Sequence, residues 1–263
     1  MTRLHEQTTT AAAETLADCE VALLPTGAVE QHGPHLPLGT DLLAAREIAR
    51  AVDAADTGVA TTLLPTVPVG VSSHHRQFDG TLWTSPETFE AYVREVTESL
   101  ARHGVRKVVA VNGHGGNDDA LQRAARRVRR EETAFLAPWN WFADLGDLDE
   151  ELFDQTGIGH ADAAETSIVY AAADRAHETT GVEESALTTA EANGPTEWGR
   201  AVHGAALGFD TADFSESGAV GQPTDASREK GERLFEHATD ELTALVEWLA
   251  DREFAALLPE PHR

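Results

Sequence analysis

Residues Leu24–Asp41 read LPTGAVEQHGPHLPLGTD, and the segments on either side of them decide the fold. The run before them, Glu20–Leu24, has the length and apolar content of a buried strand. The run after them, Asp41–Ala55, repeats apolar residues at helical spacing. Strand, shaped turn and helix in that order recur along the chain. Further strands are predicted at Ala60–Leu64, Val105–Val111 and Thr133–Leu136, and further helices at Pro86–Arg102, Asp118–Arg130, Ala163–Ala173 and Ala226–Ala250. Ser85 before Pro86 is an N-cap with proline at the first helical position. This alternation predicts an α/β fold, a mostly parallel sheet covered by helices, in a single domain over residues 1–263. Gly194–Gly221, rich in Gly, Ser, Thr and Asp, is expected to be a long surface or site-covering excursion.

The turn itself carries chemistry. Glu30 and His32 are one residue apart, so in extended backbone their side chains share a side. Gly33, Pro34, Pro37 and Gly39 bend the chain so that Asp41, at the start of a helix, can return to face them. Carboxylate and imidazole suit zinc, manganese or iron. Asp41 could also be no more than a helix cap. In Val108–Asn117, VVAVNGHGGN, a buried strand runs into His114 among Gly113, Gly115 and Gly116. The spacing is not that of a dinucleotide loop, and a metal-ligating histidine is the better reading. His160–Ser167, HADAAETS, brings His160 and Glu165 to the start of a helix. His75, Phe78, Trp139 and Trp141 are candidates for the wall of a substrate pocket, since planar groups stack on aromatic faces. The two tryptophans serve equally as core residues.

The chain has a formal net charge of -25, and only two of its 20 basic residues, Lys107 and Lys230, are lysines. Such a surface repels nucleic acid and anionic membranes. With the acid spread along the whole chain, it fits a protein adapted to a salt-rich cytoplasm. Thermal melts from low to molar KCl should therefore show a rising melting temperature as screening removes self-repulsion; a flat or falling curve would count against the halophilic reading. No apolar run reaches the ~18 residues of a membrane span, and Met1–Thr10 lacks the basic and apolar regions of a secretory signal. The single cysteine, Cys19, leaves neither an internal disulfide nor a thiolate zinc site. A cytoplasmic protein is expected.

The three segments, in this order, resemble the creatininase (creatinine amidohydrolase) family, and so do GVSSHHRQFDGT (Gly70–Thr81) and SGAVGQPTDASREKGE (Ser217–Glu232). The resemblance implies a three-layer α/β sandwich, a centre of two divalent metal ions, hydrolysis of a small amide, and a homo-oligomer, commonly a hexamer. It places Glu30, His32, Asp41 and His114 on metal ligands, with Asp41 as the bridge. His160 falls on a proton-transfer histidine, and Glu165 on the acidic position of an E-T-S motif. True creatininases carry glutamates where this chain has Gly116 and Gly159, so Glu165 is the expected substitute ligand. The NGHGGN form looks more like the branch with formamide hydrolases of archaeal flavin and deazaflavin biosynthesis and peptidases that mature a redox peptide cofactor. A formylamino-pyrimidine nucleotide is the expected substrate. Creatinine, or a metal-binding subunit without turnover, is the alternative.

Overall fold

The computed structural model describes residues 3–153, 159–179, 181–187 and 201–259. In chain order the elements are α1 (Thr9–Asp18), β1 (Val21–Thr26), α2 (Thr40–Ala54), β2 (Thr61–Leu63), α3 (Pro86–Ala101), β3 (Lys107–Asn112), α4 (Asp118–Arg130), β4 (Phe135–Asn140), α5 (Leu148–Phe153), α6 (Ala163–Ala176), α7 (Glu184–Leu187), β5 (Ala201–Val202), β6 (Ala205–Ala206) and α8 (Arg228–Ala250). The first four strands form one parallel sheet in the order β2-β1-β3-β4. None of the described helices is long and apolar enough to cross a membrane.

Side-chain alternation makes this sheet the middle of three layers. Val21 and Leu23 of β1 and Val109 and Val111 of β3 join α2, α6 and α8 in one core. Their neighbours Ala22, Leu24, Val108 and Ala110 point the other way, into a second core that includes Phe89 and Val93 of α3 and Leu121 and Val128 of α4. Burying each Val or Leu contributes roughly 1.5–3 kcal/mol before entropy is counted. Because both faces are covered, the strands read as continuous apolar runs.

Strand order reverses beside β1: its chain neighbour β2 lies on one side and β3 on the other. In open parallel sheets such a point leaves a crevice at the carboxyl ends of the two central strands. Both glycine-rich segments leave the sheet there, after Thr26 and after Asn112, which are paired in register.

The predicted strands and helices are all present, with shifted ends. β1 runs on through Pro25 because its missing N–H would face β2, which stops pairing at Leu23. β4 begins at Phe135, two residues later than predicted, because the Thr133 N–H is taken by the Val128 carbonyl at the end of α4 (3.0 Å). It extends instead to Asn140, opposite Asn112. α8 starts at Arg228 because Ser227 Oγ accepts from the Lys230 N–H (3.2 Å) as its cap. α1 was not predicted: it buries no residue and so shows no apolar stripe. Of the predicted excursion, residues 194–200 lie outside the described residues. The rest comprises the β5–β6 hairpin and a loop that returns over the crevice.

Candidate metal centre

Glu30 and His32 lie on the extended segment after β1, Asp41 is the second residue of α2, His114 follows β3, and Glu165 sits in the first turn of α6. All five are at most 6% exposed. The structure brings them together. His32 Nε2 is 3.0 Å from Asp41 Oδ1 and 3.8 Å from Glu165 Oε2. His114 Nδ1 is 3.2 Å from both Glu30 Oε1 and Asp41 Oδ2. Gly39, not Asp41, occupies the cap position of α2, so the Asp41 carboxylate is turned into the cluster and does not cap the helix.

Tautomers follow from the outer partners of the rings. His32 Nδ1 donates to the Glu30 carbonyl (3.1 Å), and His114 Nε2 donates to the Val71 carbonyl (3.1 Å). In its neutral form each ring therefore turns its bare nitrogen to the cluster, the arrangement metal-ligating histidines adopt. Asn112 and Asn117, which were not singled out from sequence, build the loop around His114. Asn112 Oδ1 accepts from the His114 N–H (3.2 Å) and from Asn117 Nδ2 (3.1 Å), while Asn117 also reaches the Gly27 carbonyl (3.1 Å). The polar residues bracketing NGHGGN were the available sign.

Three carboxylates in so small a buried volume call for positive charge. Burial raises the Glu165 carboxyl, and Asp41 adds to it against the pull of His32, to about 8. Burial alone would raise Glu30, but His114 overrides it and holds the carboxyl well below its ordinary range. His32 is lowered by burial and raised more strongly by Asp41 and Glu165, to about 10. His114 likewise ends well above its ordinary value, Glu30 and Asp41 outweighing burial. His160 moves the opposite way, to about 4, through burial and the neighbouring His32.

Three buried atoms at the heart of the cluster, Glu30 Oε2, His32 Nε2 and Asp41 Oδ2, make no well-formed hydrogen bond, although His32 Nε2 and Asp41 Oδ2 lie beside the cluster's own Asp41 Oδ1 and His114 Nδ1. Orphaned polar atoms of this kind are costly unless a ligand satisfies them. Glu30, Asp41 and His114 each offer one ligand atom within 4.8 Å of the others, and His32, Asp41 and Glu165 form a second such group. Asp41 belongs to both. The mixed nitrogen and oxygen donors fit borderline divalent cations.

Gly116 and Gly159 are required by their surroundings. A Cβ on Gly116 would overlap His114 Nε2 and the Val71 carbonyl, and one on Gly159 would overlap the Val220 carbonyl. A side chain at 116 does not fit this backbone, and the acid that lies beside His32 is Glu165.

A cavity of about 480 Å³ opens onto the cluster, with His74, His75 and His160 beside it and Phe142, Leu207, Phe209, Phe214 and Val220 as its apolar wall. Phe209 and Phe214 meet edge to face at 5.6 Å. Their loop is tied down by Asp210, 2.5 Å from Arg76 Nη2. Of the predicted wall residues only His75 lines this cavity. Trp141 packs in the core, edge to face with Phe142, and both tryptophans border a separate cavity of about 140 Å³ beside α8. Phe78 is only partly buried and is not among the lining residues. Phe142, Phe209 and Phe214 were missed because nothing local marks them; they meet only through the loops.

A parallel sheet with a buried cluster of nitrogen and oxygen donors at its switch point is the architecture of an α/β protein with a candidate metal centre. Residues 5–246 match the sequence profile of the family described as creatininase, creatinine amidohydrolase. A "Mycofactocin precursor peptide peptidase" of Mycobacterium ulcerans (strain Agy99) is 31% identical over 230 residues, covering 85% of this chain and 83% of that one. The creatinine amidohydrolase of Pseudomonas putida is 29% identical over 171 residues, covering 59% and 64%. A creatinine amidohydrolase (creatininase) crystal structure superposes with a TM-score of 0.77 at 24% identity, covering 95% of this chain and 98% of that one. Other solved creatininases, at a TM-score of 0.76, are described as Zn-Zn and Mn forms. This chain belongs to the creatininase family and is a metal-dependent amidohydrolase.

Proposed function

We propose that this chain hydrolyses a peptide or peptide-like amide beside an apolar residue, using two divalent ions, zinc, manganese or iron, held by Glu30, His32, Asp41, His114 and Glu165. The observation that carries the substrate reading is the cavity wall. Away from the histidines and carboxylates of the cluster it is mostly aromatic and aliphatic, and no lysine or arginine is among the described residues that line it. The phosphate of a formylamino-pyrimidine nucleotide would enter without a counter-charge, in a chain whose net charge is -25. That makes the nucleotide expected from sequence the weaker candidate. The peptidase named among the relatives points the same way.

When bound, the ions supply Lewis acidity to the amide carbonyl and a more acidic water. The chain does the rest. Glu30, Asp41 and Glu165 hold the negative charge that keeps the ions in place. His160 Nε2 donates to the Gln31 carbonyl (2.8 Å), which leaves Nδ1 free on the side of Glu30 and Glu165. His160 takes a proton from the attacking water at Nδ1 and returns it to the leaving nitrogen. Water is thereby split across the C–N bond: hydroxyl to the acyl carbon, proton to the amine. Phe142, Phe209 and Phe214 exclude bulk water and seat the apolar side chain next to the scissile bond.

The test is a comparison of kcat/KM for metal-loaded protein with a short peptide carrying an aromatic residue, a formylamino-pyrimidine nucleotide, and creatinine. The peptide should lead by at least ~10-fold, the equivalent of about 1.4 kcal/mol. A lead for the nucleotide would reverse the substrate reading, and no turnover of any amide would remove the enzymatic one.

A further inference from the structure

We propose that His75 is a fixed hydrogen-bond donor to the substrate carbonyl, and that Gln31 is the positioning residue that makes it one. The proposal deepens the hydrolase reading above and rests on it for the identity of the acceptor. A chain of hydrogen bonds through Gln31 allows only one consistent assignment.

The chain starts at a group that can only donate. The Gly33 N–H lies 2.9 Å from one end of the Gln31 carboxamide, which must therefore be the oxygen, Oε1. The other end is then the NH2 group. It lies 2.7 Å from His75 Nδ1 and 3.3 Å from the Gly218 carbonyl. An NH2 group only donates here, so His75 Nδ1 is the bare nitrogen and the neutral ring carries its proton on Nε2. That Nε2–H is 3.6 Å from Glu30 Oε1, too long for a hydrogen bond, and the ring borders the cavity. The proton is thus left at the edge of the cluster, beside Glu30, on a ring that lines the cavity.

The contrast with the neighbouring rings is what separates donor from ligand. In their neutral forms His32, His114 and His160 each spend their N–H on a backbone carbonyl and turn a bare nitrogen inward. His75 does the reverse. Proximity alone would group it with Glu30 and His74 as a possible ion site, but a protonated nitrogen has no lone pair to give. Gln31 governs two of these rings: its backbone carbonyl holds His160 Nε2–H, and its side chain holds His75 Nδ1. With ring centroids 4.4 Å apart, His160 and His75 offer a bare nitrogen and an N–H side by side. An amide needs that combination: a proton acceptor for the water, and a donor for the oxygen that gains charge as the carbonyl becomes tetrahedral.

Two readouts test this without a substrate, on the zinc-loaded protein with 15N-labelled histidine. Long-range proton–nitrogen correlation should show His75 neutral with its proton on Nε2, assigned by its loss in His75→Leu. In Gln31→Met that signal should move toward a mixture of the two tautomers. Metal content should be unchanged in His75→Leu and His75→Gln. Kinetics on the best amide substrate then test the role: His75→Leu should lose about 10²–10³-fold in kcat, as removal of a single oxyanion donor does, with little change in KM. His75→Gln keeps an N–H and should recover at least ~10-fold of that loss. A proton on Nδ1, metal lost from either His75 variant, or equal rates for His75→Leu and His75→Gln would overturn the proposal. If wild-type holoenzyme turns over no amide, the hydrolase reading fails by that result alone; the tautomer and metal measurements still decide whether His75 is a donor or a ligand.

Discussion

Asp41→Ala is expected to strip metal and turnover from the protein together. Asp41 is common to two of the possible ligand groups, with Oδ1 3.0 Å from His32 Nε2 and Oδ2 3.2 Å from His114 Nδ1. Removing it would leave each of these groups one ligand short and take away a negative charge that would hold cations there. Unit charges at 4 Å interact by about 4 kcal/mol even at an effective dielectric of 20, so losing a carboxylate placed to serve two groups is not a small perturbation. Elemental analysis should find metal content near zero, and kcat/KM should fall below detection, while circular dichroism shows the sheet and helices intact. A variant that keeps its full metal complement and its activity would show that the site is drawn in the wrong place.

His160→Ala is expected to separate proton transfer from metal binding. His160 Nδ1 stands 3.9 Å from Glu30 Oε1 and 4.0 Å from Glu165 Oε2, near the ligands but bonded to neither. Its loss should leave metal content close to wild type and lower kcat by about 10²–10⁴-fold, the usual contribution of a general acid or base. The loss should shrink for amides whose leaving nitrogen is weakly basic, because such a nitrogen departs with little help. The ring also lies within ligand distance of Glu30 and His32. Metal stripped by His160→Ala would therefore make His160 a ligand, and the proton carrier would have to be sought elsewhere around the cavity.

Much of the centre could be read in the order of the residues, for a physical reason. Glu30, His32 and Asp41 lie within one turn, and a strand, a bend and a helix leave few ways to arrange them. His114 follows a strand whose apolar run marks it as central, and a parallel sheet sends both turns to the same edge. Local periodicity carries all of that.

The rest is set by contacts between segments distant in the chain. Trp139 and Trp141 lie on and just after β4, and packing against α8 draws them to the core side, leaving Phe142 to face the cavity. Phe209 and Phe214 reach the same cavity from a loop more than sixty residues away, held by the Arg76–Asp210 pair. The crowding of Gly116 by Val71 and His114, and of Gly159 by Val220, shows in no local pattern. Nor does the direction of a ring proton. Sequence by itself determined which candidate ligands are present and the sheet edge that carries them, because those depend on neighbours a few residues apart. Tertiary structure alone decided which nitrogen of each histidine faces inward and which aromatics form the wall, because both depend on backbone carbonyls and side chains brought in from other turns of the fold.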